Sequence, residues 1–150
     1  MRQSRSQNYP PIADLVPHRL PLRLLDQVVH HEPERVVCEV TVRSDAAFVE
    51  ESGVQMIVTL EYMAQCVAAF AGMQAHGGGQ TVQIGYLIGC RQMTLNGDRI
   101  AIGTRLTVAC NRIWGDNSLG SFDCAVHDGP TRVASALLSV AQPATNPTTL

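Results

Sequence analysis

Between Gly53 and the run Gly77-Gly78-Gly79 lies a stretch of 22 residues, Val54 to Ala75, without a proline and followed by His76. They are rich in Ala, Met, Leu and Gln, and a segment of that kind reads as one helix about 33 Å long at 1.5 Å per residue. It is apolar nearly all round, so most of its surface has to be buried. The rest of a 150-residue chain must therefore enclose it. A membrane span is the competing reading. Glu61 near mid-helix and Gln55, Gln65 and Gln74 argue against it, because a central carboxylate is costly in lipid.

The flanking segments have a different texture. Leu22 to His30 and Val36 to Arg43 read as an antiparallel pair of strands, the second with Val36, Cys38, Val40 and Val42 on one face and Glu39 and Thr41 on the other. After the helix, Val82–Gly89, Arg105–Ile113, Leu119–His127 and Arg132–Gln142 read as four more strands. Turn residues bound them at Asn96-Gly97-Asp98, Gly115-Asp116-Asn117 and Asp128-Gly129-Pro130. Ile12 to Leu15 predicts a single helical turn before Pro17. Two strands, a long helix and four strands make an α+β chain, an antiparallel sheet around one central helix of about 54–75. Residues 1–11 are expected to be a flexible lead, 12–142 a single domain and 143–150 a frayed tail.

Composition narrows the function classes. Lysine is absent, which removes Schiff-base chemistry and a phosphate-loop lysine. The 11 arginines are scattered after the first few positions and net charge is −2, which speaks against nucleic acid. Five cysteines (38, 66, 90, 110, 124) lie at least 14 residues apart in apolar stretches. That is neither a disulfide framework nor a zinc spacing, and predicts buried free thiols in a reducing compartment. Residues 1–11 have no apolar core of the secretory kind, so the cytoplasm is the expected location.

On the helix, Val54, Val58, Glu61, Gln65, Ala68 and Gly72 share one side. A carboxylate amid apolar neighbours suits a general acid or base, and equally a rim residue paired with an arginine. The small residues permit close approach of a ligand chain or of another backbone. The backbone N–H groups near Gln55, Met56 and Ile57 would lie at the positive end of the helix, where a thioester carbonyl could be polarised.

Three motifs carry a resemblance. Pro17-His18-Arg19-Leu20-Pro21, followed by Leu24-Leu25-Asp26, resembles the start of the bacterial 3-hydroxyacyl-[acyl carrier protein] dehydratases of the hot-dog fold. Leu60-Glu61-Tyr62-Met63-Ala64-Gln65 is similar to their Leu-Glu-Ala-Met-Ala-Gln helix, and Tyr86-Leu87-Ile88-Gly89 to the strand after it. The Tyr after the Glu and Gly89-Cys90-Arg91 resemble most the dehydratase-like proteins of aryl polyene biosynthesis clusters. The likeness runs from about Asp14 to Gln142.

The resemblance implies a hot-dog fold and a homodimer or dimer-based oligomer. It also implies elimination of water from a 3-hydroxyacyl thioester to the trans-2-enoyl thioester, with Glu61 as acid/base. No metal or organic cofactor is implied. The substrate would arrive on the phosphopantetheine of acyl carrier protein or on coenzyme A. Met56, Ile57, Gln65 and Arg91 are the expected substrate contacts, Arg91 at the substrate itself or at the carrier's phosphate, with a surface salt bridge as the alternative for Arg91.

One departure stands out. The family's catalytic histidine lies in a Gly-His-Phe-Pro-Gly segment leading into the helix, where this chain reads Phe48-Val49-Glu50-Glu51-Ser52-Gly53-Val54 with no histidine. Only the Glu half of the family's pair carries across. His18, whose role in the family motif is structural, is a candidate replacement; Glu61 acting alone, taking the α-proton and returning it to the departing hydroxyl, is the alternative. His76 is 15 residues beyond Glu61, about 22 Å along a helix, and too far away. The missing histidine keeps two alternatives open: a hot-dog acyl-thioester hydrolase, and a non-catalytic or partner-dependent subunit of a dehydratase or synthase assembly.

Overall fold

The structure, a computed structural model, describes residues 8–79, 85–116 and 118–142. A one-turn helix α1 (Ile12–Leu15) is followed by strands β1 (Gln27–Glu32) and β2 (Arg35–Thr41), and by the short strands β3 (Val49–Glu50) and β4 (Gly53–Gln55). A 3-10 turn (Met56–Val58) leads into the long helix α2 (Thr59–Gly77). Then come β5 (Tyr86–Leu95), β6 (Arg99–Ile100), β7 (Arg105–Gly115), β8 (Leu119–Asp128) and β9 (Thr131–Ala141). Six strands form one antiparallel sheet in the order β1-β2-β7-β8-β9-β5, and β3-β4-β6 form a small second sheet.

The large sheet is the expected one: two strands before the helix and four after it. Alternation along β2 and β7–β9 sends Val36, Cys38, Val40, Val108, Cys110, Cys124, Val126 and Leu138 into one core with Met63, Cys66 and Phe70 of α2. Helix α2 with its leading turn is long and apolar enough to cross a membrane, but its apolar side is the core of this sheet.

Four of the five cysteines meet in that core. Cys110 and Cys124 face each other across β7 and β8, and Cys66 Sγ lies 3.7 Å from Cys110 Sγ and 3.5 Å from the Val108 carbonyl oxygen. All are free thiols. Burial pushes Cys66 and Cys110 well above the ordinary thiol range, which makes them unreactive packing groups. Cys90, expected to be buried, is exposed on the edge strand β5.

Three elements depart from expectation. The helix starts at Thr59 rather than Val54, because Gly53, at φ +112°, turns the chain into β4, which pairs with β3 and β6. A Cβ at Gly53 would collide with the Ile100 carbonyl, so the turn is tied to this pairing. Met56 N–H then donates to Asp98 O at 2.8 Å, and the buried Thr59 hydroxyl donates to Met56 O at 2.7 Å. The second departure is Leu22–Asp26, which is loop rather than strand. The third is the strand expected over 82–89: β5 runs on to Leu95, while residues 80–84 lie outside the described residues. The expected lead and tail fall largely on residues 1–7 and 143–150, also outside them.

Helix α1 sits directly on α2. A Cβ at Gly72 would run into the carbonyl of Leu15, so the backbones touch where glycine leaves room. This contact fixes where the chain leaves α1, and so where Pro17 and His18 stand.

Candidate active site

After α1 the chain turns at Arg19, whose carbonyl accepts N–H groups from Leu22 (2.8 Å) and Arg23 (3.0 Å) around a cis Leu20-Pro21 bond. Leu24 and Leu25 are buried, and Asp26 anchors the far end. Its Oδ2 accepts Thr41 N–H at 2.7 Å and its Oδ1 binds Arg43 at 2.9 Å, which is a structural role. The loop is held to α2 by one fully buried side chain, Gln65. Its Oε1 accepts Leu24 N–H at 2.8 Å, while its Nε2 donates to Leu22 O at 2.8 Å and to Glu61 Oε1 at 2.9 Å.

His18 is brought to the same carboxylate. Its Nε2 stands 3.7 Å from Glu61 Oε1, and its Nδ1 is buried without a hydrogen-bond partner. That separation is too long for a direct hydrogen bond. It leaves a position between the two groups where one oxygen atom would be in hydrogen-bond reach of both. The side chains are 31% and 43% exposed, so the pair stands at an opening rather than in the core.

The opening leads into a cavity of about 220 Å³ running along α2. Glu61, Ala64, Ala68, Ala71 and Gln74 line it from the helix, spaced by three or four residues on one face. From Glu61 to Gln74 is about 20 Å of helix. Leu87, Leu119, Phe122 and Val140 close the apolar middle from the sheet. The stripe read from the sequence is thus divided. Glu61 and Ala68 face the cavity, whereas Gln65 and Gly72, on its flank, are covered by the 20–24 loop and by α1.

The far end is polar and aromatic. Arg112 binds Glu34 through two hydrogen bonds of 2.7 and 2.8 Å and lies 5.3 Å over the ring of Phe70. Phe70 meets Phe122 edge-on, with ring centres 5.3 Å apart. Arg112 holds the Glu34 carboxyl below the usual range, and Glu34 in turn raises the Arg112 guanidinium. Beside it, Asp116 Oδ1 accepts from Ser118 N–H and hydroxyl and from Leu119 N–H, which holds that carboxyl low as well. None of these far-end residues was singled out in the sequence. The one available signal was Arg112, a charged side chain next to the apolar stretch of β7.

Other expected site residues lie apart. The premise of an unpartnered amide at Met56 does not hold, since that N–H is taken by Asp98 and the side chain is buried. Ile57 is half-exposed at the start of the helical turn. Arg91 is exposed on β5, opposite Leu137, and does not line the cavity. His30 pairs with Glu32 at 3.3 Å, and His76 stands in the last turn of α2. Among the described residues no cluster of three or more His, Cys, Asp or Glu side chains is placed to hold a metal.

A carboxylate and an imidazole, two groups able to take up and release protons, thus stand together at the mouth of a mainly apolar cavity. The sequence profile of the ApeP-like family, described as ApeP dehydratase, matches residues 10–150, and the chain belongs to that family. Among solved structures it is similar to the dehydratase heterocomplex ApeI:P from Xenorhabdus doucetiae. The identity is 25% and the TM-score 0.87, over 92% of this chain and 94% of that one. It shares its fold with the E. coli PaaI protein of the phenylacetic acid degradation operon (13% identity, TM-score 0.59, 77% and 82% covered). A hypothetical thioesterase with coenzyme A from Streptococcus pneumoniae is a further fold neighbour (8%, 0.61, 80% and 87%). No curated protein sequence matches the chain. The hot-dog fold expected from the motifs is therefore the fold observed.

Proposed function

We propose that this dehydratase-like chain eliminates water from a 3-hydroxyacyl thioester to give the trans-2-enoyl thioester, using Glu61 and His18 together. The observation that carries the reading is the 3.7 Å approach of His18 Nε2 to Glu61 Oε1 at the cavity mouth. The thioester acidifies the α-proton. Neutral His18 removes it through Nε2, the electron pair of the broken C–H bond forms the double bond, and the β-hydroxyl departs with the proton of Glu61 as water. A proton relayed from His18 to Glu61 by a water held in the gap between them restores both groups. Gln65 can only donate to Glu61 Oε1, since its own Oε1 is held by Leu24 N–H. The histidine missing before the helix is, on this reading, replaced from the Pro-His-Arg loop of the same chain.

The cavity takes the acyl chain, and no metal or organic cofactor enters the scheme. Ile57 at the helix start and Arg91 on β5 are proposed contacts for the pantetheine arm and its phosphate on acyl carrier protein or coenzyme A. The setting is proposed to be cytoplasmic, in keeping with free thiols.

A second reading is favoured by the likeness to a dehydratase heterocomplex and by Tyr86, Leu87 and Ile88, which lie exposed on the edge strand β5. On this reading the chain works as a subunit, with a second copy or a related hot-dog chain on that edge, and turns over only when paired. One experiment separates the readings. Intact mass spectrometry follows a 3-hydroxyacyl carrier protein incubated with the chain, alone and with a partner dehydratase subunit, for wild type, Glu61→Gln and His18→Ala. Loss of one water by wild type alone, abolished in both variants, supports the pair. Loss only with the partner, and dependent on Glu61 of this chain, supports the subunit reading. Free acid as product makes the chain a thioesterase. No product under any condition overturns the dehydratase reading.

A further inference from the structure

The loop that brings His18 to Glu61 also presents an uncommon surface. Leu20 and Leu22 are 71% and 54% exposed, and Arg19 and Arg23 flank them on the same turn. Of the other described arginines, Arg35, Arg91 and Arg132 form no ion pair, and the remaining four are neutralised. Arg43, Arg99, Arg105 and Arg112 each bind a carboxylate within 3.2 Å. Arg19 and Arg23 form no ion pair among the described residues, and the nearest acidic residue after them in sequence, Asp26, is already bound by Arg43 and Thr41. Two unpaired cations and two exposed leucines thus stand within five residues of His18, in a chain whose net charge is −2.

From this we infer that the 19–23 turn is the docking surface for an acidic carrier protein, the one that delivers the acyl thioester to the site described above. Three features converge on that occupant. The charge is local and positive, and complements an acidic face. The two leucines offer an apolar centre between charged rims, the arrangement of a small transient interface. The turn is next to the cavity mouth, so a protein holding the acyl chain on a flexible arm must pass over it to place a thioester between His18 and Glu61. Gln65 binds Leu22 O and Leu24 N–H at the base of the turn, which holds the surface rigid against the helix that carries the carboxylate. Docking thereby costs little ordering of this side of the interface.

The inference rests on the dehydratase reading, and its test separates the two. The full chain is titrated with an acidic bacterial acyl carrier protein bearing a 3-hydroxyoctanoyl group through a non-hydrolysable amide, and separately with the same group on free pantetheine. Arg19→Glu combined with Arg23→Glu is compared with Arg132→Glu, a reversal on the β8–β9 hairpin. The expected result is a carrier affinity that falls with salt and drops about tenfold or more in the double variant. Pantetheine binding should be unchanged there, and Arg132→Glu should stay near wild type in both arms. Leu20→Ser with Leu22→Ser should weaken the carrier arm alone. Equal carrier affinity in wild type and the double variant, or affinity indifferent to salt, overturns the docking surface while leaving the dehydratase reading intact. Failure to bind even the pantetheine compound overturns both.

Discussion

Gln65 and Glu61 are joined by a 2.9 Å hydrogen bond in which the amide has no freedom of orientation. Its oxygen is held by Leu24 N–H and its nitrogen by Leu22 O. The amide therefore clamps the loop bearing His18 and the helix bearing Glu61 into one unit. Replacing Gln65 with Leu keeps the volume but leaves the Leu24 N–H and Leu22 carbonyl without partners. We expect a loss of about 2–4 kcal/mol in urea unfolding. Gln65→Glu keeps an acceptor for Leu24 and places a second carboxyl beside Glu61. It should fold better than the leucine variant and still lose activity.

If His18 and Glu61 act as a pair, removing either should cost most of what removing both costs. Under the proposed reaction, His18→Ala and Glu61→Gln should each lower the dehydration rate by about 10²–10⁴. The double variant should be little worse than the poorer single one. Additive losses in single-turnover kinetics would mean that the two groups work independently, and would break the pair.

Gly72 is the position where α1 rests on α2. Gly72→Ala forces the Leu15 carbonyl away and should destabilise by about 1–3 kcal/mol, read from the urea midpoint. Because Pro17 and His18 follow directly from α1, the same change should reduce turnover beyond what stability explains. An alanine variant as stable and as active as wild type would show that the helices part freely there.

Acid sensitivity should follow the carboxylates held by partners. Glu34 is lowered from 4.5 by its hydrogen bonds to Arg112, and Asp116 from 3.8 by Ser118. Their folded forms hold protons less readily than the unfolded chain does. The stability they contribute is present above about pH 4.5 and is lost as pH falls through the lower folded values. Thermal unfolding from about pH 6 to pH 3 should show a declining Tm, with a shallower acid limb for Glu34→Gln. Both groups are exposed, so the effect should also shrink with salt. An unchanged acid limb in Glu34→Gln would rule the pair out as a contributor.

Much of this was legible in the chain because its signals were periodic. The two-residue alternation of β2 and the proline-free helix gave the six large strands and α2, and Leu60–Gln65 with Pro17–Pro21 marked the two halves of the site. What could not be read depended on contacts between segments distant in sequence. The start of α2 is decided by Gly53 meeting Ile100 and by Met56 binding Asp98. Helical propensity across Val54–Val58 gives no sign of either. The helix stripe could be drawn, yet only packing shows that Gln65 and Gly72 are covered while Ala64 and Ala71 are open. Arg112 and Phe70 meet from different elements at the far end, a pairing no local pattern encodes.

The cavity runs lengthwise along α2 rather than across it, so under the proposed reaction the helix would act as a measuring scale for the acyl chain. One turn advances 5.4 Å, about four carbons of an extended acyl chain. The alanines at 64, 68 and 71 are successive graduations, and a bulkier residue at any of them would set a shorter limit. Ala71 lies ten residues, about 15 Å, from the carboxylate. Selection for a longer or shorter chain can therefore act at one end of this scaffold while the bond-breaking end stays as it is.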